Sequence, residues 1–322
     1  MFRAERMADN RSGAATLPAT LEVIVFPNTT QLPLHVGNEK GYFAQHGLRL
    51  NVTVTPTSVY QMTSLVAGDY QIAIGAFDNV IAYQEGQSGE ELARPPDLFA
   101  FMGVAQMNLQ LVVQPDIDSY ADLKGRTLAV DAPSNGFVLV LRKMLELGGL
   151  ALDDYELVAV GTRRWNSLLA GEHAGALMTD NYMVEMSSGL RVLDNSLDVF
   201  DAYQSAVGTA CHTWAEAHRG QLVGFIRAYI AGLDWIFDAA NRAEAAEILA
   251  RHRDGMSHAA AGRAVAQLVA EREGLMAKAV LPRPAVQTVL ELRNQFGEPR
   301  KRLTDLEKYI DLSYYQAAIG TG

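Results

Sequence analysis

Ser64-Leu65-Val66-Ala67-Gly68-Asp69 returns later in the chain as Ser167-Leu168-Leu169-Ala170-Gly171-Glu172. Each copy closes an apolar helical stretch on a glycine, the residue that takes the left-handed conformation at a helix end without a Cβ penalty. Each then feeds a short apolar run with the character of a buried strand, Ile72–Ile74 in the first copy and Ala174–Met178 in the second. Each run is followed by an acid–amide pair, Asp78-Asn79 and Asp180-Asn181. Residues just past the carboxyl end of a strand lie where open α/β sheets bind ligands. The L-x-A-G-[DE] pattern alone is a common helix-to-strand junction, but here the surrounding β/α order repeats with it. The repeat therefore predicts two similar lobes facing each other.

Outward from the first copy, Leu21–Phe26 reads as a strand, Leu32–His46 as a helix stopped by Gly47, and Leu48–Val54 as an alternating strand. Tyr60–Ala67 is helical, and Asn79–Gln84 follows as a helix with Asp78 at its N-cap. Leu98–Val104 and Leu109–Val113 read as further strands, before a polar boundary at Gln114–Ser119 that contains Pro115. Around the second copy, Leu128–Val130 and Leu157–Val160 are strands. Gly136–Leu147, Trp165–Ala170 and Tyr182–Ser187 are helices. From Trp214 onward the apolar spacing is helical nearly throughout, with Leu222, Phe225, Ile226, Tyr229, Ile230 and Leu233 on one face. This order predicts an α/β protein with mainly parallel sheets covered by helices.

With 322 residues, 49% of them hydrophobic, the chain has material for two compact lobes. The formal charge of −10 repels phosphate backbones and anionic lipid, which argues against nucleic acid and membrane docking. No apolar stretch is long enough to insert into a membrane. The residues up to about Thr20 read as a flexible lead-in with no apolar core of a signal peptide. The expected location is periplasmic if a signal peptide is missing from this sequence, and cytoplasmic if the sequence is complete. Cys211 is the only cysteine, so no internal disulfide forms. The seven histidines make no metal-ligand spacing, so no metal and no cofactor are expected. Cys211-His212 lie on neighbouring strand positions that face opposite ways, which disfavours a nucleophile–base pair.

The loops that follow the strands supply the site candidates. Asn28, Thr29 and Thr30 precede a helix whose free N–H groups suit an anionic or polar group, unless they form an ordinary capped turn. Ser58 and Tyr60 occupy the corresponding loop after the next strand. Phe77 offers a face for stacking, and Asp78 and Asn79 offer polar contacts, with Asp78 as a cap only being the alternative. Ser134, Asn135, Gly136 and Phe137 form the strongest candidate, an anion cradle in which glycine permits close backbone approach. No Gly-Lys-Ser/Thr follows, so this is not a nucleotide P-loop. One of Arg163 and Arg164, with Arg163 the first choice, could fork onto a carboxylate or sulfonate beside a Trp165 wall. The alternative is a solvated arginine pair and a core tryptophan. Asp180 and Asn181 repeat the Asp78-Asn79 arrangement.

Several stretches resemble one family. Leu34-x-Val36-Gly37-Asn38-Glu39-Lys40-Gly41-Tyr42-Phe43, followed by Gly47-Leu48, is similar to the opening element of the SsuA/THI5-like (NMT1-like) group of periplasmic binding proteins. That group contains sulfonate-, nitrate- and thiamine-pyrimidine-binding proteins. Leu65-x-Ala67-Gly68-Asp69-x-x-x-Ala73 and Tyr120-x-Asp122-Leu123-Lys124-Gly125-Arg126 also resemble its motifs. So do Phe225-x-x-Ala228-Tyr229 and Glu244-Ala245-Ala246 in the C-terminal helices. The resemblance implies a type II periplasmic-binding-protein fold with crossovers near Gln106–Gln110 and Tyr203–Thr209. It also implies C-terminal helices that return to the first lobe. The expected lobes are residues 21–108 with 206–322, and residues 109–205.

The implied function is capture of a small polar solute, of sulfonate, carboxylate or heteroaromatic type, for an ABC importer. The expected partners are that small molecule and an ABC permease, with the protein a monomer. An enzyme on the same fold stays open as the alternative, of decarboxylase, desulfinase or pyrimidine-synthase type. Against it, the cysteine-rich motif of the pyrimidine synthases is missing from a chain with one cysteine.

Overall fold

A computed structural model describes residues 18–106, 108–179 and 189–320. The described strands form two sheets, numbered here in chain order. The first contains β1 (Ala19–Val25), β2 (Leu48–Val54), β3 (Ile72–Ala76), β4 (Leu98–Gln106), β10 (Ala206–Cys211) and β11 (Gly274–Leu275). Its order is β11-β4-β10-β3-β1-β2. The second contains β5 (Gln110–Val113), β6 (Thr127–Val130), β7 (Glu156–Ala159), β8 (Gly175–Met178) and β9 (Arg191–Asn195), in the order β7-β6-β8-β5-β9.

The two sheets share one plan. Three parallel strands lie side by side with the earliest in the middle, β2-β1-β3 and β7-β6-β8. The next strand in each sheet has crossed over from the other sheet and therefore pairs antiparallel, β10 against β3 and β5 against β8. A fifth strand then pairs antiparallel with the newcomer, β4 with β10 and β9 with β5. Each sheet is thus mixed, and its parallel part carries the loops that meet the opposite lobe.

The repeated sequence behaves alike in both places. Helix α3 (Ser58–Ala67) ends at Gly68, whose φ is +94°, and α6 (Arg164–Leu169) runs into Gly171, whose φ is +69°. The same closing bond follows each helix: Asp69 N–H donates to Ser64 O at 3.1 Å, and Glu172 N–H donates to Ser167 O at 3.0 Å. β3 and β8 then enter their sheets at matching positions.

Several elements differ from the sequence reading. The expected helix over 32–46 is two helices, α1 (Leu32–Glu39) and α2 (Tyr42–Gln45), separated at Gly41 with φ +75°. The break lets the Phe43 ring fold back over Gly37, where a Cβ would sit 2.4 Å from the ring. Helix α4 (Phe77–Gln84) begins two residues early and its N-cap is Ala76, so Asp78 is not the cap. His212 opens α7 (His212–Ala217) instead of continuing the strand that ends at Cys211. β9 and the two-residue β11 had no clear strand pattern. The expected helix at Tyr182–Ser187 lies outside the described residues.

The remaining helices are α5 (Gly136–Leu147), α8 (Arg219–Phe237), α9 (Arg242–Arg251), α10 (His258–Leu268), α11 (Arg283–Phe296) and α12 (Ser313–Ile319). α8 packs against α1, α2 and α12, with Phe225 between the rings of Phe43 and Phe101. That face buries Leu222, Phe225, Ile226, Tyr229 and Leu233, as the helical spacing predicts. α11 packs against both α4 and α5, so the C-terminal region reaches the second lobe as well as the first. No described helix is long and apolar enough to cross a membrane.

Candidate functional site

The carboxyl ends of β1, β2 and β3 face those of β6, β7 and β8 across a cavity of about 280 Å³. This is where the parallel strands of open α/β sheets present their loops. Phe26, Asn28 and Thr30 line it after β1, Ser58 after β2, and Ala76 and Asn79 after β3. From the other lobe come Asp131, Asn135 and Phe137 after β6, then Thr162, Arg164, Trp165 and Asn166 after β7, then Met178 and Thr179 at the end of β8. Ser205 lines it from the second crossover, and Arg253 from the loop beyond α9.

Seven of the residues singled out from sequence meet at this cavity: Asn28, Thr30, Ser58, Asn79, Asn135, Phe137 and Trp165. Asn28 Oδ1 accepts from the Thr30 hydroxyl at 2.6 Å and from the Thr30 N–H at 3.2 Å, so the turn is capped from within. Thr29 is buried behind it and Tyr60 stands 45% exposed on α3, both away from the cavity wall. Phe77 is a core side chain, fully buried. Arg163 is solvent-exposed, and Arg164, the first residue of α6, faces the cavity in its place. A single-residue step at a helix start rotates the side chain by about 100°, which decides between two adjacent arginines. Asp180 and Asn181 lie outside the described residues.

Asp78 has a different fate from the expected ligand acceptor. It is 1% exposed and forms a bidentate ion pair with Arg293 of α11, also 1% exposed. Arg293 Nε donates to Asp78 Oδ1 at 2.9 Å, and Nη2 donates to Oδ2. Nη2 also donates to the carbonyl of Ser134 at 2.7 Å. Ser134 turns its hydroxyl toward the Ser88 carbonyl at 3.2 Å and does not line the cavity. Gly136 is needed for contact and not for a ligand: a Cβ there would fall 2.3 Å from Asp78 Cβ. Burial and the nearby Asp78 charge push the Tyr203 phenol well up.

The expected anion cradle is also altered. Asn135 Oδ1 accepts from the Val138 N–H at 3.1 Å and caps α5. Its Nδ2 donates to Asp131 Oδ2 at 3.0 Å. Both ends of this amide are therefore engaged, and its effect is to hold Asp131 in place. Asp131 is 6% exposed, and its second oxygen, Oδ1, is buried with no hydrogen-bond partner among the described residues. The Ser205 hydroxyl is in the same condition. An unmet buried polar atom costs about 1–3 kcal/mol, so these two atoms stand ready for a ligand's donor. Asn79 lines the same wall. Sequence reasoning passed over Asp131, although it directly follows a parallel strand. Arg253 carried no local signal, because its helical third reaches the cavity only through packing.

Cys211 lies elsewhere. Its thiol is buried in β10, directed at the Leu65 carbonyl at 3.7 Å, and burial pushes it up to about 12. His212 stacks on Phe99 with ring centroids 4.1 Å apart. The two side chains have separate surroundings, and the thiol is held in its unreactive form.

A family model described as NMT1/THI5 like matches residues 28–243. A formylaminopyrimidine-binding protein of Halalkalibacterium halodurans is 28% identical over 251 residues, covering 73% of this chain and 71% of that protein. A solved structure from Bordetella bronchiseptica RB50 has a TM-score of 0.79 at 21% identity, covering 94% of this chain and 97% of the other. The periplasmic nitrate-binding protein NrtA of Synechocystis PCC 6803 has a TM-score of 0.78 at 11% identity, covering 94% and 89%. The fold is the type II periplasmic-binding-protein fold, two β/α lobes joined by two crossovers with added C-terminal helices.

Proposed function

The chain belongs to the NMT1/THI5-like family, and we propose from its cleft that it is a solute-binding protein that closes around a flat, nitrogen-bearing small molecule. In this reading residues 21–108 with 206–322 form one lobe and 109–205 the other, and a hinge motion buries the solute between them. An ABC permease receives the solute on the periplasmic side of a membrane.

The observation that carries the reading is Asp131 Oδ1, a buried acceptor in the cavity wall without a partner among the described residues. An acceptor of this kind calls for a ligand N–H, which an amine or amino-heterocycle supplies. Phe26, Phe137 and Trp165 provide apolar faces for a planar ring. Arg164 and Arg253 add cationic groups suited to a carbonyl or acidic substituent. A bare inorganic anion would meet the Asp131 carboxyl as well as these arginines, which weakens its case. The ligand named for the curated relative, a formylaminopyrimidine, has the ring, the amine and the carbonyl that this wall accommodates.

A thermal-shift panel of formylaminopyrimidine, simple aminopyrimidines, alkanesulfonates and nitrate tests the reading, with mass spectrometry of each mixture. A ligand at a hundred times its Kd stabilises by about 2.7 kcal/mol, enough to raise the melting temperature by several degrees. Stabilisation by the aminopyrimidines, with the ligand recovered unchanged, is expected. Stabilisation by nitrate or alkanesulfonate alone overturns the ligand class, and turnover of the ligand overturns the transport role.

A further inference from the structure

We propose that Arg293 is the positioning residue of the cleft: from a helix outside both β/α repeats, it holds the first turn of α4, which carries Asn79, and the Asp131–Asn135 loop at one separation. The inference rests on cleft geometry and not on the identity of the solute.

Two backbone segments converge on this guanidinium. Asp78 lies on α4, one residue before Asn79 in the cavity wall. Ser134 lies in the loop after β6, one residue before Asn135, which orients Asp131. Arg293 binds the Asp78 carboxyl through two nitrogens and the Ser134 carbonyl through one of them. α4 belongs to the first lobe and α5 to the second, and α11 packs against both. The joint is tight, because Gly136 at the start of α5 leaves no room for a Cβ against Asp78. The Ser134–Ser88 bond ties the same loop after β6 to the segment that follows α4. α11 is itself anchored nearby: the Gln204 N–H, in the second crossover, donates to the Ala285 carbonyl at 3.1 Å.

The chemistry favours a positioning role over simple stabilisation. A buried ion pair loses hydration on both partners, and an apolar pair of similar volume often stabilises a fold at least as well. What an apolar pair does not do is set direction. A planar guanidinium with donors at fixed angles specifies where a carboxyl and a carbonyl sit relative to each other. The two points it specifies are one residue from the polar groups that line opposite walls.

The test reads the separation of the lobes directly and without solute. Spin labels at Val54→Cys and Leu169→Cys occupy exposed positions in the first and second lobes, while the native Cys211 is buried. The parent should give one narrow distance distribution. Asp78→Asn with Arg293→Met removes the clamp without leaving a lone buried charge, and should broaden or shift that distribution by about twofold in width, as expected of a freed hinge. Arg293→Lys, which keeps the charge and loses the fork, should fall between the two. A folded double variant with the parent distribution overturns the proposal. If the double variant does not fold cooperatively, Arg293→Lys decides in the same way. Failure of the ligand panel leaves this measurement untouched, so the two proposals fail separately.

Discussion

Asp78 and Asp131 each follow a strand of a parallel set, each sits by the start of a helix, and each is almost wholly buried. Around Asp78 every polar need is met inside the protein, through a guanidinium 215 residues away. Around Asp131 one oxygen is held by Asn135 and the other is left unmet by the described residues in the cavity wall. On the two proposals above, the first aspartate joins the lobes and the second receives a ligand. The difference shows that burial and position just past a strand do not assign an aspartate its role. The number of its lone pairs already used by the protein does.

The largest effect expected to test this contrast is at the joint. Arg293→Met leaves the Asp78 charge alone and buried, which should cost about 3–5 kcal/mol of stability, read as a drop in the denaturant midpoint. Asp78→Asn together with Arg293→Met should recover most of that loss. If the single and double variants are equally unstable, the ion pair is not what sets Asp78 apart.

Asp131→Ala should behave in the opposite way. Binding of the amine ligand found in the panel should weaken by about 2 kcal/mol, roughly thirtyfold, on loss of a charge-assisted bond. The stability of the free protein should change by no more than about 1 kcal/mol, because the unmet Oδ1 and the bond from Asn135 Nδ2 are lost together. Calorimetry of binding and unfolding checks both, and a variant that loses stability but keeps affinity would place Asp131 with Asp78. A smaller effect follows from Gly136→Ala, whose methyl group would collide with Asp78. Forcing it in should destabilise by about 1–3 kcal/mol, and chemical denaturation reads the loss.

The smallest effect separates acid sensitivity from either aspartate. Burial, the His252 charge and Arg253 hold the His35 imidazole down at about 4, against the opposing pull of Glu39. The unfolded chain then binds a proton at higher pH than the folded one, so stability rises with pH between about 4 and 6.5 and is lost on acidification through that window. The expected contribution is about 1–2 kcal/mol after allowing for partial exposure. His35→Gln should flatten that part of the profile, read by chemical denaturation at several pH values.

Much of the architecture was legible because it depends on neighbours in sequence. Gly68 and Gly171 end their helices by local backbone geometry, so the repeat of β and α elements could be read before any contact was known. Trp165 and Phe137 were legible for a related reason: the connections after strand ends lead to the cleft, and each is the second residue of the helix that such a connection opens. The break at Gly41 was harder to see. The helical spacing continues through it, and the reward for breaking, the Phe43 ring over Gly37, is a packing event. β9 was missed because Arg191–Asn195 is a short strand with no apolar alternation. Within the site, the choice of Arg164 over Arg163 depended on the phase of a helix start that sequence leaves open by one residue.

By itself, the sequence determined the α/β class, the twofold repeat of the lobes and the loops that would border a cleft, since these follow from periodicity and glycine-capped helix ends. Tertiary structure alone decided which polar side chains remain for a ligand. A carboxyl is satisfied or unsatisfied by whatever folds against it, and the group that satisfies Asp78 arrives from α11, near the far end of the chain. No spacing between neighbouring residues encodes that meeting, whereas a buried hydrogen bond formed or missing settles it in three dimensions.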